Sequence, residues 1–180
     1  NVEAFELEIF DVENTKTHGG SNRYYIKKNT NSLYKINNRV NAEIKKELQF
    51  GLNKFSTYQK FAKNVKISKS KLLKIFSSLN KKKLRIIGYG ATAKSCTVLN
   101  YCGLGKSDIK YFYDTTSYKV NKYLPGSKIL IKKYKKLDNK EIDVAFLGAW
   151  NFKKEIFKKE KKFIEGGGKF ITHVPNPSII

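Results

Sequence analysis

The sequence predicts an α/β fold in which a doubly wound, mostly parallel sheet is preceded by a helical hairpin and a β-hairpin. Three observations carry this expectation. From Leu84 onward short apolar runs alternate with helical stretches, the pattern of parallel strands joined by crossover helices. From Val40 to Leu79 apolar residues return every three or four positions, the period of an amphipathic helix. Near the N-terminus, Phe5 to Phe10 alternates apolar with acidic residues and Arg23 to Ile26 is rich in strand formers, which suits two extended runs around a polar turn. With 180 residues, of which 40% are hydrophobic and 13% aromatic, the chain has the material for one substantial core.

Taken in order, the hairpin spans Phe5 to Lys28 and turns at Thr17-His18-Gly19-Gly20-Ser21. A two-stranded hairpin alone is marginal in water, so these strands are expected to join a sheet outside this stretch. Val40, Ile44, Leu48, Leu52, Phe55, Tyr58, Ala62 and Val65 form one stripe and predict a single long helix from Arg39. Ser68 or Ser70 is expected to cap a second helix that buries Leu72, Leu73, Ile75, Phe76 and Leu79. Leu84 to Ile87 is the next strand, followed by the turn Gly88-Tyr89-Gly90-Ala91 and a helix from Thr92 to Tyr101. Further strands are expected at Ile109 to Tyr113, ending in Asp114, at Ser127 to Ile131 and at Val144 to Leu147. A helix from Phe152 to Ile164 stops at Gly166-Gly167-Gly168, and Lys169 to Val174 is the last strand. This sheet would be Rossmann-like. The expected division is 1–35 for the hairpin, 36–80 for the helices and 81–180 for the sheet domain.

The formal net charge of +22 would ordinarily point to nucleic acid or an anionic surface. Of the 37 Lys and Arg residues, however, only Arg23, Arg39 and Arg85 are arginine, and arginine supplies the bidentate reading of bases. No nucleic-acid partner is expected. No apolar run approaches the roughly 20 residues that span a bilayer, and the N-terminus lacks a secretory pattern. The reading is therefore a cytoplasmic protein without a membrane partner. Cys96 and Cys102 provide no metal quartet, so no metal site is expected. The start at Asn1, without methionine, reads as the start of a fragment.

In a sheet of this kind ligands bind beyond the carboxyl ends of the strands, and each candidate polar group follows a strand. The turn Gly88 to Ser95 opens a helix whose free N–H groups and positive end favour a phosphate, with Lys94 and Thr97 close by. As a dinucleotide fingerprint it is degraded, because the third glycine is Ala93. Asp114 stands where a carboxylate could accept ribose hydroxyls. The alternative is that these residues do no more than shape the turn and cap the helix. The second candidate is the turn of His18, Gly19, Gly20, Ser21 and Arg23, where an imidazole, a hydroxyl and a guanidinium could meet a polar ligand. The third is Lys119 with Tyr123-Leu124-Pro125-Gly126, and the fourth is Trp150 with Asn151. All are expected to surround one place.

Ordered motifs along nearly the whole chain resemble the C-terminal region of S-adenosylmethionine-dependent C-methyltransferases that act on nucleotide-linked deoxysugars. They are Asp11-Val12-Glu13 with Thr17 to Ser21, Tyr58 with Phe61-Ala62 and Val65, Tyr89-Gly90-Ala91 with Ala93-Lys94, and Leu99 to Gly103. Asp114, Lys119, Tyr123 to Gly126, Ala149 to Phe152 and Glu155-Ile156 complete them. The resemblance implies that the hairpin is the last edge of an upstream methyl-donor domain. That upstream domain would be a partner holding S-adenosylmethionine, zinc would sit only in a further N-terminal domain, and the main acid/base residues would also lie upstream. The isolated chain would then be inactive.

For this chain the resemblance implies binding of a nucleotide-linked sugar such as a dTDP-deoxysugar. His18, Gly19, Gly20, Ser21 and Arg23 would lie on the sugar side, with His18 as an assisting acid/base. Gly90, Ala91, Lys94 and Thr97 would lie near the diphosphate, and Asn100, Tyr101, Asp114, Lys119, Pro125, Gly126, Trp150 and Asn151 would complete the site. Thr92, Ser95-Cys96, Thr115-Thr116-Ser117 and Val120-Asn121 depart from the family pattern, which leaves the sugar and nucleotide open. Two other readings of the same residues stay in play, an NAD(P)-binding domain and a basic non-catalytic interaction module.

Overall fold

A computed structural model describes residues 2–180 of the chain. The chain divides into two compact units, Asn1–Lys63 and Asn64–Ile180. In the first, β1 (Leu7–Thr15) pairs antiparallel with β2 (Ser21–Lys28), from Leu7 opposite Lys28 to Thr15 opposite Ser21. A bulge between Ile9 and Asp11 shifts the register. The Arg39 guanidinium donates to both carboxylate oxygens of Asp11, at 2.9 and 2.5 Å, and so ties the start of α1 (Asn38–Phe50) to β1. Val12 is the one buried hydrophobic among the described residues of this unit, while Phe5, Leu33, Phe50, Phe55 and Phe61 are exposed.

The helices are two, as expected, but the break between them is elsewhere. The sequence places it near Ser68; the structure ends α1 at Gly51, which is left-handed with φ 83°. Its N–H reaches the carbonyls of Glu47 and Leu48, and the Leu52 N–H also reaches Glu47, a closed C-terminal cap. α2 then runs unbroken from Phe55 to Lys81. No glycine or proline between residues 55 and 81 interrupts it, and serine alone does not stop a helix.

The second unit is a six-stranded sheet in the order β5-β4-β3-β6-β7-β8. β3 (Ile86–Tyr89), β4 (Phe112–Asp114), β5 (Ile131–Lys133), β6 (Val144–Leu147) and β7 (Lys169–Thr172) are parallel. The short β8 (Ser178–Ile179) is antiparallel to β7 and is absent from the sequence expectation. The chain thus winds outward from β3 to β5, returns, and winds the other way from β6, so the direction reverses between β3 and β6. β5 starts later than expected, because residues 123–130 close a tight turn in which the Leu124 N–H reaches the Ile129 carbonyl. The expected C-terminal helix is broken into α4 (Lys153–Lys159) and α5 (Lys161–Glu165) at Glu160.

Alternation along the strands sorts the core into two layers. On one face Leu72, Phe76 and Leu79 of α2 and Leu99 of α3 (Ala93–Cys102) pack with Ile86, Phe112 and Phe146. On the other, Ile156 and Phe163 from α4 and α5 pack with Ile87, Tyr89, Leu147 and Phe170. Among the described residues no helix is long and apolar enough to cross a membrane.

His173, at the end of β7, is 8% exposed and stacks on Phe146 at 5.3 Å. Burial pushes its imidazole down to about 4. An imidazole that stays neutral when folded is protonated preferentially in the unfolded chain. The stability present above pH ~6.5 is therefore lost as pH falls toward 4, by about 3 kcal/mol at most. His173→Phe should flatten the decline between pH 6.5 and 4, measured by urea unfolding followed through Trp150 fluorescence.

Candidate functional site

The turn between β3 and α3 is fixed from two sides. Gly90 has φ 85° and lies so close to Ala149 that a Cβ there would come within 2.6 Å of the alanine methyl. Only glycine serves both demands. Thr92 and Ser95 form a capping box, with the Ser95 N–H donating to Thr92 Oγ1 at 3.1 Å and the Thr92 N–H to Ser95 Oγ at 2.9 Å. This takes up two of the donors that a helix start leaves open. Thr92 Oγ1 also reaches the Gly148 carbonyl at 3.1 Å, joining the turn to the end of β6.

Asp114, 7% exposed, holds the other side. One carboxylate oxygen accepts the Ala91 N–H at 2.8 Å, the other the Thr116 N–H at 2.8 Å. The Lys119 ammonium lies 3.5 Å away and donates to the Ala91 carbonyl at 2.9 Å. Burial alone would raise the Asp114 carboxyl, but Thr116, the Ala91 N–H and Lys119 outweigh it and hold it below the usual carboxylate range. Asp114 and Lys119 therefore spend their polar groups on the turn itself.

Lys94 differs. Its ammonium is buried without a hydrogen-bond partner among the described residues and lies 4.7 Å from the centroid of the Trp150 ring. Trp150 and Asn151 begin the short 3-10 turn that follows β6. Beside them, at the carboxyl ends of β3, β4 and β6, opens a cleft of about 410 Å³, bordered by Gly90, Thr92, Asp114 and Lys119. Tyr89, Tyr113, Tyr134 and Phe152 add aromatic surface to its lining, alongside Thr115, Thr116, Glu155 and Lys159. The sequence reading missed the four aromatic residues. Tyr89 and Tyr113 carried a signal in standing at strand ends and Phe152 in opening a helix, whereas Tyr134 stood in a stretch to which the sequence assigns no element.

Not every candidate gathers there. Thr97 is exposed and donates to the Ala93 carbonyl within its own helix at 3.1 Å. Asn100 donates to the Pro125 carbonyl at 3.1 Å and leaves no room for a side chain at Gly126, where a Cβ would meet it at 2.2 Å. The Tyr101 carbonyl accepts from Lys69 at 2.6 Å. Asn100, Tyr101, Pro125 and Gly126 thus form a packing contact about 9 Å further along α3 than Lys94, by the rise of a helix. His18, Gly19, Gly20, Ser21 and Arg23 belong to the N-terminal unit. His18 is exposed at φ 54°, Ser21 Oγ donates to the Thr17 carbonyl at 3.1 Å, and Arg23 lies 3.7 Å from Glu13. Among the described residues no group of three or more His, Cys, Asp or Glu could hold a metal ion.

Comparison with known proteins gives two matches. The family described as the C-methyltransferase C-terminal domain matches residues 16–175. The C-methyltransferase NovU of Streptomyces niveus is 31% identical over 178 residues, which cover 99% of this chain and 42% of that protein. The chain thus spans less than half the length of the curated relative it matches.

Asp114→Ala should destabilise the second unit by about 1–3 kcal/mol at pH 7, since the buried Ala91 N–H and the half-buried Thr116 N–H lose their acceptor. Because the folded carboxyl is lowered, that stabilisation is present above the unfolded carboxylate range near ~3.9 and is lost as pH falls through the folded value. The gap between wild type and variant in urea unfolding should therefore narrow below pH ~4.

Proposed function

From the premise that this chain belongs to the C-methyltransferase C-terminal domain family, we propose that it is the substrate-binding part of an S-adenosylmethionine-dependent C-methyltransferase acting on a nucleotide-linked ketodeoxysugar. The observation that carries this reading is Lys94. A buried ammonium without an acceptor is costly, and one beside a helix start, over an indole face, gains most from an arriving anion. The diphosphate of a sugar nucleotide supplies that anion. The reversal of winding between β3 and β6 supports a Rossmann-like site, because crevices at such reversals are where these sheets bind ligands.

In this reading residues 81–180 bind the nucleotide-sugar, 36–80 link, and 1–35 complete a donor domain outside this chain. His18, Ser21 and Arg23 contact the sugar, and His18 assists proton transfer. The setting is cytoplasmic, and zinc belongs to another domain. The residues at hand do not fit the methyl donor: the Asp114 carboxylate, which would take its ribose, already holds two N–H groups and Lys119. The same commitment weighs against an NAD(P) site. S-adenosylmethionine, bound elsewhere, supplies an electrophilic methyl group. The acceptor carbon beside the sugar carbonyl must become enolate-like to receive it, so the task of this chain is to bind and orient.

Calorimetric titration should give binding of a dTDP-sugar and none of NAD; NAD binding alone would sink the reading. Lys94→Ala should weaken dTDP-sugar binding by about 1–3 kcal/mol, and unchanged affinity would return Lys94 to packing. The chain alone should transfer no label from methyl-labelled S-adenosylmethionine, and turnover would show that the donor site is here.

A further inference from the structure

The basic charge of the chain is not evenly spread. All 15 acidic residues lie outside the stretch from Leu48 to Ser107, although lysine runs through it. α2 crosses this stretch with no acidic residue of its own. Elsewhere in the second unit Arg85 pairs with Asp143, Lys119 with Asp114, Lys135 with Glu141 and Lys161 with Glu165. Among the described residues no lysine of α2 forms an ion pair.

Helix geometry gathers these charges. Lys66, Ser70, Lys74, Ser77 and Lys81 follow one another at three or four residues and so share one face, along which the three lysines span about 22 Å by the rise of a helix. All five side chains are exposed. The opposite face is fixed, because Leu72, Phe76 and Leu79 are buried in the core of the sheet domain. A shallow depression of about 570 Å³ follows the basic face, lined by Leu73, Lys74, Ser77, Ser78, Lys81 and Lys82. Lys71 and Lys74, three residues apart, repel each other. Lys81 gains from the negative end of the helix, but Lys66 and Lys74 stand in its interior without that compensation.

The make-up of the face decides among polyanions. From Ser70 to Lys83 no apolar residue is exposed, and the nearest that is exposed is Ile67. An acidic protein would ask for aromatic or arginine anchors, since the centres of protein interfaces are poor in lysine. An anionic membrane would gain from apolar side chains inserted beside the charges, and those of α2 are committed to the core. A phosphodiester backbone asks only for lysines and hydroxyls along a line. The shortage of arginine bars the reading of bases and leaves this contact open.

We propose that this face of α2 binds the phosphate backbone of nucleic acid without regard to sequence, through Lys66, Lys74 and Lys81 with Ser70 and Ser77 between them. The inference is independent of the nucleotide-sugar reading. The test titrates the chain into two labelled DNA duplexes of unrelated sequence and follows fluorescence anisotropy as salt is raised. Both duplexes should bind equally, with log affinity falling linearly against log salt. Replacing the three lysines together, as Lys66→Gln, Lys74→Gln and Lys81→Gln, should weaken binding by about tenfold or more near physiological salt and flatten the salt slope by about 2–3. A control that loses the same charge elsewhere, Lys106→Gln with Lys154→Gln and Lys158→Gln, should keep the wild-type slope.

A wild-type chain that leaves both duplexes free at that salt would overturn the proposal. Equal losses in the two triple variants would overturn it as well, by showing that net charge alone is at work. Phosphatidylglycerol vesicles that capture the chain while the duplexes stay free would assign the face to a membrane. Polyglutamate that binds as tightly as the duplex, charge for charge, would show that phosphate is not what the face recognises, and would equally sink it.

Discussion

Asp114, the last residue of β4, ties together the chain segments that leave β3 and β4. Its two carboxylate oxygens hold the N–H groups of Ala91 and Thr116, and Lys119 completes the knot by taking the Ala91 carbonyl. Charge-assisted bonds out of water are strong individually, and here they fix the exit angle of the chain into α3. With Gly90 pressed against Ala149 and Thr92 reaching Gly148, the β3–α3 turn is held by its neighbours on both sides. The position of Lys94, in the first turn of α3, follows from that restraint. An acidic residue that the sequence offers as a ligand contact thus serves first to build the place where a ligand could bind.

The sheet was legible because its strands are buried on both faces and read as short apolar runs; Val144 to Leu147 coincides with β6. The helix break was misread because an apolar stripe continues smoothly past Gly51, and the stripe is a weaker signal than a left-handed glycine closed by two carbonyls. β8 was illegible since two residues carry no period. In the site, Gly90, Lys94, Asp114, Lys119 and Trp150 were readable from their places after strands. Asn100, Tyr101, Pro125 and Gly126 were gathered with them by motif, yet they pack against each other or against α2 at the far end of α3. Glu160 was invisible, because an acid within a lysine-rich helix normally faces water; only the fold brings two tyrosine hydroxyls to it.

The first unit has a different economy. Its organisation rests on Arg39 and Asp11 and on a hairpin ladder, with Val12 as its buried apolar residue. Phe5, Leu33, Phe50, Phe55 and Phe61 are exposed and leave apolar side chains available to a partner. That accords with the proposal that the hairpin completes a sheet of a donor domain, and with a chain that spans 42% of its C-methyltransferase relative.

The central claim is that the carboxyl ends of β3, β4 and β6 form the nucleotide-sugar site. Trp150 is the single tryptophan, so its indole N–H gives one resolved signal in a ¹⁵N-correlated NMR spectrum. Addition of a dTDP-sugar should shift that signal together with the amide signals of Ala91, Thr92 and Lys94. Shifts that spare all four while the ligand binds would contradict the account.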